Sequence, residues 1–382
     1  MPQLRVLHFV EYVNRHDFVD ALVRRRDPDG PWFGVCTMGN AADIADAHLE
    51  DAGVPTWVIP APGRRTYPGA ARRLAALAKE QRIDVLHAHH YEEGFIGWLA
   101  TRMARHTTFV LGRHYSDTIY LNTSGVKQRA LLGVESLVNR GASRIIVPSS
   151  VVRSLLVDRQ HVPAEKVVRI PLGFDPDKYV DVQPAAVEAV RDELGLRGRF
   201  VVGTFARLYP DKGHLYLLEA LTRLRDRIPG LHWLIVGEGT ERDNIERAIK
   251  QAGMDDITVL TGFRRDALSI MAACDVVVQP SVEEAFGQVA VEAMWLERPV
   301  VVTDVSGVAD VVTDGETAMV VPSRDVGALE NTIVRLYSDD ELRARLGAAA
   351  RHHVQDTLVM DKVAHQYEAV YRDAVAASGR FW

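Results

Sequence analysis

The stretch "VVGTFARLYPDKGHLYLLEAL", Val201–Leu221, decides the architecture. It opens as a short apolar strand and closes as a helix, with Arg207 directly after the strand and Lys212-Gly213 directly before the helix. Such a βα unit recurs along the whole chain. In the first half the candidate strands are "RVLHFV", "WFGVCTM", "PTWVIP", "DVLHAH", "TFVLGR" and "RIIVPS". Helix-length segments such as "YPGAARRLAALAKEQ" and "VKQRALLGVESLVNR" lie between them. The pattern pauses around Pro176 and Pro184, which read as a linker and a lead-in helix. It then restarts with "FVVGTFA", "HWLIVG", "ITVLTG", "DVVVQP", "PVVVTD" and "AMVVPS". Alternation of this kind predicts an α/β protein of two Rossmann-like, doubly wound parallel-sheet domains facing across a cleft. The expected divisions are 1–180, 181–360 and a last helix, 361–382, returning to the first domain. In such sheets ligands sit outside the carboxyl ends of the strands.

Bulk properties narrow the class. The chain has 382 residues, too many for one ordinary core, and 47% hydrophobic with 25% charged residues is usual for a globular protein. A net charge of −6 gives no basic balance for nucleic acid. Two distant cysteines, Cys36 and Cys274, exclude a disulfide framework and fit a reducing compartment. No signal peptide and no membrane-length apolar run is evident, so the expected location is cytoplasmic. Arg64, Arg65, Arg72 and Arg73 could face anionic lipid, but their helix is rich in alanine and has no Trp or Phe opposite. A solvated face is the preferred reading, and peripheral membrane contact is not indicated.

Three strand ends of the second half carry unusual chemistry. Arg207 and Lys212 suit a diphosphate, since Arg forks onto oxygens and Lys acts as a point charge. The bland alternative is a pair of solvated loop charges. "LIVGEGTERDNIE" ends a strand in Gly237-Glu238-Gly239, a turn whose backbone could approach a ligand. It lacks the third glycine of a dinucleotide fingerprint. "VVVQPSVEEAFGQVAVEAMW" places Glu284 in a loop and Glu292 inside a helix that begins near Phe286 or Gly287. The free N–H groups of that helix start attract phosphate or sugar oxygens. Ala290, Ala293 and Met294 would bury its other sides. Taken alone, the two glutamates read rather as a capping acid and an exposed helix acid.

Together these pieces resemble the E-x7-E element and its companions in the retaining, family 4 glycosyltransferases of the GT-B fold. "GTFARLYPDKGHLYLLEA", "LIVGEGTERDNIE", "VLTGFRRD", "CDVVVQPSVEEAFG" and "ERPVVVTDVSGVADVVTDGETAMVVPSRD" match in order. "DVLHAHHYEEGFIG", "GRHYSD", "RIIVPSSVVRSLL" and "RIPLGFDPDKY" correspond in the first half. The likeness covers most of the chain and is strongest from about Phe200 to Asp325.

The resemblance implies a nucleoside-diphosphate sugar donor, with a uridine donor as the default, and a hydroxyl acceptor. It implies that Arg207 and Lys212 hold the diphosphate, Glu292 accepts from ribose hydroxyls, and Glu284 contacts the donor sugar near the reacting carbon. The backbone of Phe286, Gly287 and Gln288 would touch sugar and phosphate. Gly262, Phe263 and Arg264 would sit by the base, with Gly237 in the neighbouring turn. His114 matches a first-domain histidine that contacts the donor sugar. No cofactor and no metal is required. The two Asp-Pro-Asp sequences, Asp27–Asp29 and Asp175–Asp177, read as turns, and His87, His89 and His90 as cleft-lining or packing residues.

Departures from the pattern are "EYVNRHDF", with Asn14, Arg15 and His16, in place of a glycine-rich loop, and Ala285 and Ala318 where glycine is usual. Two rival readings are another GT-B enzyme, such as a nucleotide-sugar 2-epimerase or a sugar phosphorylase, and a non-catalytic nucleotide-sugar binder.

Overall fold

The structure, a computed structural model, describes residues 3–11, 17–25, 29–39, 49, 51–115, 123–179 and 182–378. Asn14, Arg15, His16 and Asp27 lie outside them. Contacts gather the chain into two units, residues 1–175 with 358–382, and residues 176–357. The expected divisions at 180 and 360 fall a few residues beyond these.

The first unit holds seven strands: β1 Arg5–Val10, β2 Trp32–Thr37, β3 Thr56–Val58, β4 Val85–His89, β5 Thr108–Gly112, β6 Arg144–Val147 and β7 Val167–Arg169. Their order is β3-β2-β1-β4-β5-β6-β7, and every pair is parallel. The second unit holds β8 Phe200–Phe205, β9 Leu231–Val236, β10 Thr258–Gly262, β11 Val276–Gln279, β12 Val300–Thr303 and β13 Met319–Val321. Their order is β10-β9-β8-β11-β12-β13, again all parallel. The short edge strand β7 was not among the sequence candidates. It spans three residues, soon followed by Pro171, too brief for an alternation to show.

Both sheets reverse their winding beside the first strand, between β1 and β4 and between β8 and β11. The two units pin that junction with the same device. An aspartate just before the inner strand accepts from the backbone of the first: Asp84 Oδ2 from Arg5 N at 2.8 Å, and Asp275 Oδ2 from Val201 N at 2.7 Å. The strands are apolar on both faces because helices cover both sides. Trp233, Leu217 and Leu221 are fully buried in the second core. The first core is closed by the helix Met360–Ala377, whose Met360, Val363, Tyr367 and Tyr371 pack with Val6, Phe18, Leu22 and Phe33. Burying each such side chain stabilises by about 1.5–3 kcal/mol.

Cys36 and Cys274 are buried and free. Among the described residues no helix is long and apolar enough to cross a membrane. Arg64, Arg65, Arg72 and Arg73 are all exposed. Asp175 is held by Arg25 at 2.8 Å.

Candidate active site

The crevice where β8 and β11 diverge is where a doubly wound sheet binds ligands, and the chain places its charged loops there. The loop after β8 and the loop after β11 are stitched together by their backbones. Val282 N donates to Asp211 O at 2.8 Å, and Glu283 N to the same oxygen at 3.3 Å. Gly213 makes this approach possible. It has φ 69°, and a Cβ there would lie 1.9 Å from Pro280 O. Stitching brings Lys212 and Glu284 into contact. Lys212 Nζ lies 2.9 Å from Glu284 Oε2 and 3.0 Å from Asp211 Oδ2. Burial alone would lower the lysine's pKa, but the charges of Glu284 and Asp211 outweigh it and raise it. An ammonium has three donors; two are engaged and one remains for a further anion.

Glu284 is fixed from a second side, for Gln279 Nε2 donates to the same Oε2 at 3.1 Å. Its Oε1 has no hydrogen-bond partner among the described residues. Gln279 lies beside Ser306, whose single hydroxyl proton is shared between Gln279 Oε1 at 3.3 Å and Phe286 O at 3.1 Å. The helix begins at Gln288, with Gly287 as its cap at φ 101°. A Cβ on Gly287 would stand 2.7 Å from Gln279 Oε1 and 2.9 Å from Ser306 Oγ. Phe286 is buried, and Gln288 Oε1 is buried without a hydrogen-bond partner. Ala290, Ala293 and Met294 bury the far sides of the helix as expected.

The remaining predicted residues divide. Arg207 is exposed, stacks over Tyr209 at 4.9 Å, and has no carboxylate at ion-pair distance among the described residues. Glu292 Oε1 accepts from the Tyr179 hydroxyl at 3.0 Å. Gly237 N donates to Gly262 O at 3.0 Å, which ties these two turns together. Phe263 next to them is 74% exposed, a large apolar face left to solvent. Arg264 is not left open. Its guanidinium forks onto Glu193 at 2.6 and 3.0 Å and onto Asp266 at 2.8 and 2.7 Å. His114 belongs to the first unit, where its Nε2 meets His89 Nδ1 at 3.0 Å.

Sequence reasoning passed over Asp211, Gln279, Ser306 and Tyr179. Gln279 was open to detection, as a polar residue ending the otherwise apolar buried run "VVVQ". Tyr179 and Ser306 carry no local signal.

The first unit has a concavity of about 440 Å³ near the carboxyl ends of β1, β2 and β3. Glu11, Arg64, Tyr67 and Glu92 line it together with Met38 and Gly39. Beside it Glu93 is buried and accepts from Glu11 N at 2.9 Å. Burial pushes its carboxyl up to about 8.

Comparison with known proteins identifies the family. A family model described as "Glycosyl transferases group 1" matches residues 187–353, and one described as "Glycosyl transferase 4-like domain" matches residues 3–173. α-D-Kanosaminyltransferase of Streptomyces kanamyceticus is 30% identical over 237 residues, 61% of this chain and 61% of that protein. D-inositol 3-phosphate glycosyltransferase of Saccharomonospora viridis is 29% identical over 322 residues, 80% of this chain and 73% of that protein. The solved structure of HepE of Anabaena in complex with UDP-glucose superposes with a TM-score of 0.80 at 23% identity, covering 97% of this chain and 100% of that one. With each half matched to its own family model and the fold shared over nearly the full length, the chain belongs to the group 1 glycosyltransferases of the GT-B fold.

Proposed function

We propose that the protein transfers a hexose-type sugar from a uridine-diphosphate sugar to a hydroxyl of a small polyol acceptor, with retention of configuration and without a metal. The observation that carries this reading is the unspent charge at the β8–β11 crevice. Arg207 has no carboxylate partner among the described residues, and Lys212 keeps one donor beside the amino end of the helix Gln288–Trp295. A diphosphate needs such a set. Cations and aligned N–H groups stabilise the negative charge that grows on the leaving phosphate. Glu284 contributes Oε1, which can accept a sugar hydroxyl while Oε2 stays fixed on Lys212 and Gln279. Glu292 is the ribose contact in this scheme, with Tyr179 holding its other side. Phe263 offers a flat apolar surface for the base.

In the reaction the bond between the anomeric carbon and the bridging phosphate oxygen breaks. The acceptor oxygen forms its bond to that carbon on the same face. The acceptor proton passes to an oxygen of the departing diphosphate, so no separate protein base is assigned. Charge neutralisation falls to Arg207 and Lys212, which take the part a divalent cation plays elsewhere. Asp175 is already paired with Arg25, so the Asp-Pro-Asp turn at 175–177 does not serve as a metal ligand pair in this scheme. The uridine base is preferred because HepE, which has the same fold, is solved with UDP-glucose. The polyol acceptor is suggested by the relative that acts on D-inositol 3-phosphate, and this reading assigns it to the first unit's concavity, lined by Glu11, Arg64, Tyr67 and Glu92.

The test combines binding and turnover. UDP, GDP and ADP are compared by thermal shift, and UDP-glucose is then supplied with D-inositol 3-phosphate and with myo-inositol in the presence of EDTA. Stabilisation by UDP above the other two, and α-linked product formed equally with and without EDTA, is expected. Loss of product on chelation, restored by added Mg²⁺ or Mn²⁺, refutes the metal-independent reading. A β-linked product refutes retention. Stabilisation by none of the three diphosphates refutes the donor site itself.

A further inference from the structure

Asp211 has no part in the transfer scheme, yet it lies in the middle of it. It stands in the short turn Pro210–Lys212, one residue before the lysine assigned to the diphosphate. The backbone fixes this turn from two sides. Asp211 O accepts from Val282 N at 2.8 Å and from Glu283 N at 3.3 Å, and Lys212 N donates to Tyr209 O at 3.0 Å. The Asp211 carboxylate lies 3.0 Å from Lys212 Nζ and has no other ion-pair partner among the described residues. The nearest structural task for an acid in this place is to cap the helix His214–Leu224. No side chain caps that helix, and Gly213 takes the cap position. Glu284, the other carboxylate on Lys212, is fixed by the lysine and by Gln279.

An anion entering the crevice meets two cations, Arg207 and Lys212, and Asp211 cancels part of what Lys212 supplies. Asp211 is 28% exposed, so its charge is screened in part and not extinguished. Its repulsion does not weigh equally on substrate and product. In a nucleoside-diphosphate sugar the outer phosphate is bonded on both sides and carries one negative charge. After transfer it is a terminal phosphate and carries about two at neutral pH. A fixed carboxylate beside Lys212 therefore weakens the hold on the product more than the hold on the donor.

We propose that Asp211 is a specificity-determining residue that discriminates the spent nucleoside diphosphate from the sugar donor, and so eases release of the product. Without it the two cations would retain the product that they help to form. This rests on the reading of Lys212 as a diphosphate contact, and the experiment separates the two.

The probes are UDP and UDP-glucose, each titrated calorimetrically into the full-length protein in the absence of acceptor. Asp211→Asn keeps the size of the side chain and an oxygen for Lys212 while removing the charge. It is expected to tighten UDP about tenfold and UDP-glucose about threefold. Asp211→Glu, which keeps the charge, should leave the ratio of the two dissociation constants within about twofold of wild type. A merely structural role would not raise affinity, and it would not separate the two ligands. Should Asp211→Asn melt well below wild type, Asp211→Ser decides in its place, with the same two shifts expected. Equal tightening of both ligands, or a UDP affinity that is unchanged or weaker in the neutral variant, overturns the proposal. Lys212→Ala tests the reading beneath it. If Lys212→Ala weakens UDP while the neutral variant moves neither ligand, the diphosphate site stands and the role of Asp211 fails. If Lys212→Ala leaves UDP affinity unchanged, the diphosphate does not sit at this lysine, and both fail.

Discussion

Replacing Lys212 by alanine tests the site most directly. The lysine is 12% exposed and lies between Glu284 and Asp211 at 2.9 and 3.0 Å. Two losses follow. The transition state loses one charge-assisted hydrogen bond to the leaving diphosphate, worth about 1.5–3 kcal/mol, or roughly 10- to 150-fold in turnover. The two carboxylates also lose the cation between them. Two like charges within about 6 Å at an effective dielectric near 20 repel by about 3 kcal/mol, which loosens the hold on Glu284. The assay is steady-state transfer at saturating UDP-glucose, with a melting curve to confirm folding. A turnover within threefold of wild type would refute the diphosphate role. A deficit confined to KM would show that Lys212 binds substrate and transition state alike.

Three further outcomes are expected. Glu292→Gln keeps a carbonyl for Tyr179 but removes the charge, so donor KM should rise about five- to twentyfold with turnover little changed; unchanged KM by initial rates places Glu292 away from the ribose. Gly213→Ala forces a Cβ against Pro280 O at φ 69°, and a destabilisation of about 2–4 kcal/mol in urea unfolding is expected; a neutral effect would mean the loop does not sit on β11. Glu93 ionises near pH 8 in the fold against 4.5 in the unfolded chain, so its contribution is complete below about pH 4.5 and is lost as pH rises through 8. That decline amounts to several kcal/mol, on the order of 3–5. Glu93→Gln should flatten it in unfolding measured at pH 5, 7 and 8.5, and an unaltered pH slope would show that the carboxyl is not neutral in the fold.

Much of the second unit was legible because its signals are local. A strand ends, a charged or glycine residue follows, and a helix begins within a few positions, so Arg207, Lys212, Glu284 and the helix at Gln288 could be placed from neighbours in sequence. What closes the site is not local. Lys212 meets Glu284 across 72 positions, Glu292 meets Tyr179 across 113, and Arg264 meets Glu193 across 71. None of these partners is marked by periodicity. Arg264 is the instructive case: as a lone basic residue in a turn it looks available, yet two carboxylates hold it. His87 and His89 were read as cleft-lining or packing residues because no cysteine nearby completes a metal set. Their gathering into a cluster depends on His8, brought alongside only by the pairing of β1 with β4.

The helix Met360–Ala377 has a consequence for biosynthesis. It supplies Met360, Val363, Tyr367 and Tyr371 to a core whose other members lie before Asp175. On the ribosome, the first 175 residues emerge lacking one wall of their interior, while residues 176–357 emerge as an uninterrupted stretch with all of theirs. The part made first is thus finished only after the whole of the second unit has been made. Arg25 meets both Asp175 and Asp361, so the seam closes around a single guanidinium. A stop codon within the helix Met360–Ala377 would leave the early unit open, however well the later one had formed.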